Sequence, residues 1–504
     1  MNKKISVLIE SGKLRSGAVK HFLNWFIVAT IALPSFTLAQ SMAEFEQWKR
    51  QYMGEFKQYK DEMDREFADF LKQRWKPFDT EVGIVRDVAP KPVVIPVAPE
   101  VEEKPVPVTR PVLPEPVISE KTLPRMIPKP VVIVPPPPPV VISEKTVEIE
   151  FLGYPLSIVD GLSGSVNLSG VTASQAGIQQ KFSELAQSDY PKTIQQLVRI
   201  KRQLKLNDWA YVRLVQQFSE QLSSSQNALS VVGWFLLLKS DLDARIAFDS
   251  SRIYLLVPSK QNLYDVAYFK YGTQKYYSLT QQKQLPANLY SYDGNYPKNL
   301  NLSDFALSES INSLGDEELK RLGFSFQSKA YELEVPYNKN TLNFLSSYPQ
   351  MDINQYFQTP VNSVTASALL SQLRPMVNDM REKEAVDFLL RFVQKAFRYE
   401  TDQDQFGKEN YLFVEETLFY PASDCEDRSV LFAWLVKNLL NLNVIGLDFP
   451  GHVATAVELS NPLGDVINYQ RRQYTIADPT YINATAGMKM PQFKNITPRV
   501  IAIL

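Results

Sequence analysis

The sequence predicts an α+β protein, and three observations carry that expectation. Period-two runs such as Val147-Glu148-Ile149-Glu150-Phe151 recur beside amphipathic helical stretches such as 383–399. From Val147 to Leu504 these patterns alternate without another long linker. The composition, 44% apolar and 22% charged over 504 residues, is that of a chain with a core and room for two or three domains.

The first element is an export signal, expected over 1–39. Lys3, Lys4, Lys13, Arg15 and Lys20 stand against Glu10 alone, and the apolar run from Phe22 to Ala39 follows. Thr37-Leu38-Ala39 places small residues where a signal peptidase needs them. The run is just under a full membrane span, which favours cleavage over an uncleaved anchor. This predicts a protein of the periplasm or cell envelope of a Gram-negative bacterium. With the signal removed, His452 is the only histidine.

Residues 40–78 are expected to form one long helix. Phe45, Trp48, Tyr52, Phe56, Tyr59, Met63, Phe67, Phe70 and Trp75 recur mostly every three or four residues, and Pro77 is the stop signal. The stripe is a packing face for a partner helix or for its own copy, so self-association is expected through it. The stretch loosely resembles the N-terminal segment of membrane-bound lytic transglycosylase C over about 35 residues, with no transglycosylase catalytic domain after it.

Residues 79–146 read as a proline-rich linker. Between Pro90 and Pro139 lie 17 of the 34 prolines, "KPVVI" occurs at 91 and 129, and glycine is absent. This is a polyproline II spacer rather than a core, with a reach of up to ~180 Å. Two α+β domains are then expected, at 147–320 and 321–504.

Net charge is −1 and no basic run is present, so nucleic acid is not an expected partner. One Cys and two His exclude a Cys/His metal cluster. An all-carboxylate site stays open, but no EF-hand spacing and no phosphate-binding loop is found. No metal and no cofactor is expected.

The chemistry is expected in the last domain. Residues 424–429 read Asp-Cys-Glu-Asp-Arg-Ser, and Cys425 is the only cysteine, so it can form no intramolecular disulfide. Ser423 or Asp424 is a helix N-cap, and Val430, Leu431, Trp434, Leu435 and Leu439 make the helix after it. The helix dipole favours a thiolate at Cys425, whereas three neighbouring acids oppose it. A second partner is needed, and His452 is the candidate. The stretches 452–459 and 472–478 alternate as strands around turn residues at 461–465. A hairpin centred on residue 465 sets Asp478 opposite His452 on one face, where it can orient the imidazole. The chain order Cys425, His452, Asp478 then gives nucleophile, base and orienter.

The motifs "DCEDRS", "GHVATAV" and "YTIADPTY" together resemble the transglutaminase-like superfamily, a papain-related group of Cys-His-Asp enzymes. The resemblance covers about residues 384–490. It implies Cys425 as nucleophile, His452 as base and Asp478 as orienter. It also implies an oxyanion hole from the Cys425 amide and an upstream side chain, for which Tyr420 is the candidate. Such a site hydrolyses an amide or passes the acyl group to an amine. For an exported chain the expectation is an amidohydrolase or peptidase acting on envelope peptide or protein, associated with peptidoglycan or not. The alternatives are a protein-crosslinking amine acyltransferase and a non-catalytic envelope scaffold.

The domain at 147–320 reads as a degenerate copy of the last. The helix with Trp234 matches the helix with Trp434, "IYLLV" at 253 matches "VATAV" at 453, and "QKYYSL" at 274 matches "RQYTIA" at 472. It has no Cys and no His. Ser224, Ser251 and Ser278 fall near the expected triad positions, and three serines without a base activate nothing.

Overall fold

The structure, a computed structural model, describes residues 47, 51, 54, 58, 60–85, 95–99, 144–280, 283–297 and 300–503. The expected signal peptide and most of the proline-rich stretch lie outside the described residues. Contacts divide the chain into 1–63 and 64–504. In the first unit the described residues are helical. All the described strands belong to the second unit.

The mixed helices and sheets are those of an α+β protein. The helix that the aromatic stripe predicts ends at Phe70 rather than at Pro77. Pro77 disfavours helical backbone at Lys76, and strand β1 (Lys76–Phe78) forms instead. Within 64–75 the stripe faces this same body. Phe67 packs on Phe182 at 5.2 Å and on Trp234 at 6.3 Å, and Trp75 packs on Phe248 at 5.5 Å.

The first half begins with hairpin β2 (Thr146–Phe151) and β3 (Tyr154–Val159). Its two-residue turn, Leu152-Gly153, has positive φ at both positions, the backbone that matches strand twist. Helices α1 (Gln175–Ala186), α2 (Tyr190–Gln203), α3 (Asp208–Leu222) and α4 (Gln226–Lys239) come next. Helix α4 is apolar on every side and is buried between helices and sheet. Strands β4 (Arg245–Phe248), β5 (Ile253–Pro258), β6 (Tyr268–Tyr271), β7 (Gln274–Ser278) and β8 (Leu289–Ser291) complete it. Their sheet runs β1-β8-β4-β5-β7-β6, and every pairing is antiparallel.

The second half also begins with a hairpin, β9 (Glu317–Phe326) and β10 (Lys329–Asn338), turned at Gln327-Ser328 with positive φ at both. A cut between 320 and 321 would pass through β9, so the break between halves lies just before it. Then come α5 (Lys339–Leu345), α6 (Ile353–Gln358), α7 (Ser363–Val377), α8 (Glu382–Ala396), β11 (Arg398–Tyr399), α9 (Asp402–Phe406), α10 (Val414–Phe419) and β12 (Ala422–Ser423). Helix α11 (Cys425–Leu435) runs into a π turn at Val436–Leu440. Strands β13 (Val444–Phe449), β14 (His452–Val457), β15 (Val466–Tyr469), β16 (Arg472–Ala477) and β17 (Arg499–Ala502) form the sheet β17-β13-β14-β16-β15.

The proline-rich stretch does not separate residues 64–85 from the globular body. Residues 76–84 already pair with the first sheet, residues 95–99 lie on the second half, and Glu144 begins the packed chain again. The described residues 95–99 and 144 onward belong to one unit.

Candidate active site

Helix α11 starts where the sequence predicts, with Asp424 as the extended N-cap and Cys425 as the first helical residue. The main-chain N–H of Asp424 donates to Asp427 Oδ2 at 3.4 Å. Cys425 is buried, and its thiol donates to Glu426 Oε2 at 3.1 Å. A carboxylate in that position favours the protonated thiol, and the dipole of α11 works against it.

Arg428, one turn on, is fully buried. Its Nε donates to Ser423 Oγ at 3.2 Å and its Nη2 to Phe397 O at 2.9 Å. Burial lowers its pKa to about 10, while Tyr399, Asp424, Asp427 and Cys425 pull it back up. Arg428 is therefore a cation at neutral pH, set among the acids that flank the thiol.

Those acids also order the preceding loop. Asp402 Oδ2 accepts from Asn410 N at 2.7 Å, Asp427 Oδ1 from Leu412 N at 2.9 Å, and Asp424 Oδ2 from Asp402 N at 3.3 Å. Oxygens of Asp402, Asp424 and Asp427 lie within 4.8 Å of one another, as do those of Asp402, Glu409 and Glu426. An all-oxygen donor set of this kind suits a hard divalent cation. Sequence reasoning counted the acids beside Cys425 and missed Asp402 and Glu409. The only signal for Asp402 was its pairing with Asp404 in a polar stretch that looks like any solvated loop, and Glu409 had none.

His452 opens β14, and its side chain is fully buried. Its Nε2 lies 2.8 Å from Asp478 Oδ2. A carboxylate accepts, so Nε2 carries the proton and Nδ1 is left with the lone pair. Nδ1 is buried and makes no hydrogen bond in this conformation. Asp478 Oδ1 accepts from Thr480 N at 2.9 Å and Tyr481 N at 3.2 Å, which fixes the carboxylate. The imidazole stacks on Phe493, with centroids 5.2 Å apart and planes 4° from parallel.

The route from sequence to this pair needs two corrections. The strands of His452 and Asp478 are not joined as a hairpin, because β15 intervenes and pairs on the far side of β16. The register also differs. Thr455 pairs with Ala477, which extrapolates to Ala454 opposite Asp478 and leaves His452 two positions along. A shift of two preserves the face, so the diagonal neighbours still meet.

Cys425 comes to the same end of the sheet because α11 packs across β14. Ser429, one turn after Cys425, donates to Val453 O at 3.0 Å, the residue after His452. The Tyr420 ring packs on Phe406 and Phe419, with centroids 5.4 and 5.3 Å away.

Sequence reasoning missed Gln394 on α8. It is buried, and its Nε2 donates to Tyr481 O at 2.9 Å, Ala484 O at 3.1 Å and Asp478 O at 3.3 Å. One amide thus pins the loop that carries Asp478. A glutamine on an amphipathic helix carries no signal for such a long-range contact. No family model, curated protein or solved structure matches this chain.

Proposed function

We propose that this chain is an exported cysteine amidohydrolase or peptidase of transglutaminase-like type, acting on envelope peptide or protein through Cys425, His452 and Asp478. The observation that carries the reading is the His452–Asp478 pair. It leaves a buried lone pair on Nδ1, on the strand to which Ser429 ties the Cys425 helix.

The chemistry follows from those atoms. His452 Nδ1 takes the thiol proton as Cys425 Sγ attacks the amide carbon. The same proton passes to the departing amine as the C–N bond breaks, leaving a thioester. Water then attacks the thioester, gives a proton to His452, and the carboxylic acid leaves as the thiol reforms. The main-chain N–H of Cys425, at the start of α11, is the first donor for the oxyanion, with Tyr420 as the candidate second.

A peptide-library digestion compares the wild-type chain with Cys425→Ala. Cleavage by the first and not by the second supports the reading. Equal cleavage by both, or none by either after mature chain is exposed to envelope proteins, overturns it. Product mass with a primary amine present separates hydrolysis from acyl transfer.

A further inference from the structure

Two short stretches of the N-terminal segment dock on the two halves, and each gives one main-chain N–H to a carbonyl of its half. Gly83 N donates to Lys283 O at 2.8 Å, and Ala98 N donates to Ile482 O at 2.8 Å. Lys283 and Ile482 are 199 positions apart. The same separation relates Gln226 to Cys425 and Ile253 to His452, the first residues of α4 and α11 and of β5 and β14. The two acceptor carbonyls are therefore equivalent positions, one just past β7 and the other just past β16. Both donors are small, for a visible reason. A Cβ on Gly83 would stand 2.5 Å from Val266 N, and the Ala98 side chain is buried with Tyr481, Met490 and Phe493.

We infer that each half carries a groove for an extended strand, and that the groove of the second half is a peptide-binding site whose built-in ligand is Ile95-Pro96-Val97-Ala98. Val97 pairs with Ile482 in parallel, Asn483 Nδ2 reaches Ala98 O at 3.4 Å, and Ile95 packs on the same apolar cluster. The Val97 side chain points to solvent, 63% exposed. The groove thus reads main chain plus the side chains of Ile95 and Ala98, three positions apart. Its requirement is a small residue with a free N–H three positions after an isoleucine.

That requirement separates the two "KPVVI" repeats. The third position after Ile95 is Ala98, whereas the third after Ile133 is Pro136, which has no N–H to give. Only the first repeat satisfies the groove. The docked strand abuts the Tyr481–Ala484 loop that Gln394 pins behind Asp478. The assignment rests on main-chain pairing alone and stands whether or not Cys425 is a nucleophile.

The test uses the full chain and labelled peptides of residues 91–100 and 129–138. Ala98→Pro combined with Ile95→Asp removes both the donor and the apolar anchor and empties the groove. The 91–100 peptide then binds saturably by fluorescence anisotropy, and the 129–138 peptide binds at least about tenfold more weakly, the loss expected for one missing hydrogen bond. The wild-type chain takes up neither at micromolar concentration, because its own segment competes at an effective millimolar level. Equal binding of the two peptides, or no saturable binding of the first, overturns the assignment. A second measurement guards against a misfolded variant. In the wild-type chain the Ala98 amide exchanges at least about 100-fold slower than an unprotected amide. Val97→Asp leaves that protection unchanged and Ala98→Asp removes it. An unprotected Ala98 amide in the wild type overturns the assignment outright.

Discussion

The two halves share a frame and differ in what they place on it. Read from β8 and from β17, the sheets have one order: β8-β4-β5-β7-β6 and β17-β13-β14-β16-β15. A hairpin precedes each, α3 and α8 pack on those hairpins, and α4 and α11 lie across the central strands β5 and β14. One serine ties each buried helix to its strand: Ser230 to Ile253 O at 2.8 Å and Ser429 to Val453 O at 3.0 Å. What differs is the set of side chains at matching positions. At the constant separation of 199, Gln226, Ile253 and Leu279 stand where Cys425, His452 and Asp478 stand. Ser224 and Ser251, expected near those places, fall two positions early, and Ser278 takes the place of Ala477. The buried face of α4 is almost wholly apolar, with Ser230 and Trp234 as its polar ties to main-chain carbonyls. Helix α11 buries Asp424, Glu426, Asp427 and Arg428 and needs a partner for each. The fold is the stable common denominator, and the second half bears the cost of its polar groups.

The largest effect that would break this comparison is on Cys425. Cys425→Ala should lower amide cleavage by about a millionfold, as loss of a nucleophile does, with an unchanged melting transition. Substitution of Gln226, its counterpart, by Ala should leave turnover within about twofold, since surface-type helix positions away from the site are usually neutral. Turnover assays on the two variants check both expectations, and comparable losses would end the division of labour. Next comes Asp478→Asn, expected to cost roughly 10,000-fold in turnover. Cys425 should still be alkylated in that variant, at a rate set by how often the buried site opens.

How much of this was legible depends on the range of each contact. The helix at 383–399, the N-cap before Cys425, and the strands at 452 and 472 were all readable from local periodicity and cap chemistry. The pairing of His452 with Asp478 was readable from spacing because a register error of two residues keeps the face. An error of one would have put Asp478 on the other side of the sheet. Strand β15 was missed because its four half-exposed residues, Val466–Tyr469, merge with the turn residues before them. Gln394, Asp402 and Glu409 were missed because each acts on chain far away or across a loop, where local pattern is silent. The helix stops at Phe70, ahead of the Pro77 signal, and Lys76–Phe78 pairs with β8, a tertiary contact that local pattern does not show.

The tryptophans sharpen the comparison further. Sequence matching set Trp234 against Trp434, but the helix starts place Phe235 opposite Trp434 and Trp234 opposite Ala433. The environments differ accordingly. Trp234 is fully buried and donates to Ala244 O at 3.2 Å, whereas Trp434 is partly exposed. Trp234→Ala should therefore cost about 3–5 kcal/mol of stability, and Trp434→Ala half of that or less. Chemical denaturation of the two variants reads the difference directly, and equal losses would restore the alignment that pairs the tryptophans.

The effect that builds up only gradually, pH unit by pH unit, tests the cost of buried acids in the second half. Glu416 on α10 is buried, and burial pushes its pKa up to about 8, with Glu415 adding to the rise and the Phe413 N–H opposing it. In the unfolded chain the carboxyl titrates near its ordinary value of 4.5. Between those values the folded state holds a proton that the unfolded state has lost. Stability therefore falls as pH rises through that window, by at most about 1.4 kcal/mol per pH unit from this group. Glu416→Gln is neutral throughout and keeps an acceptor for the Phe413 N–H, which Glu416 Oε2 meets at 3.1 Å. The variant should match the wild type near pH 5 and exceed it increasingly toward pH 8. Lys320, whose pKa burial lowers to about 8, acts above that window and is common to both chains. Paired denaturation curves at pH 5, 6.5 and 8 measure the divergence. Parallel curves would mean that Glu416 is already compensated, and that the second half carries its acids at less cost than the contrast with α4 implies.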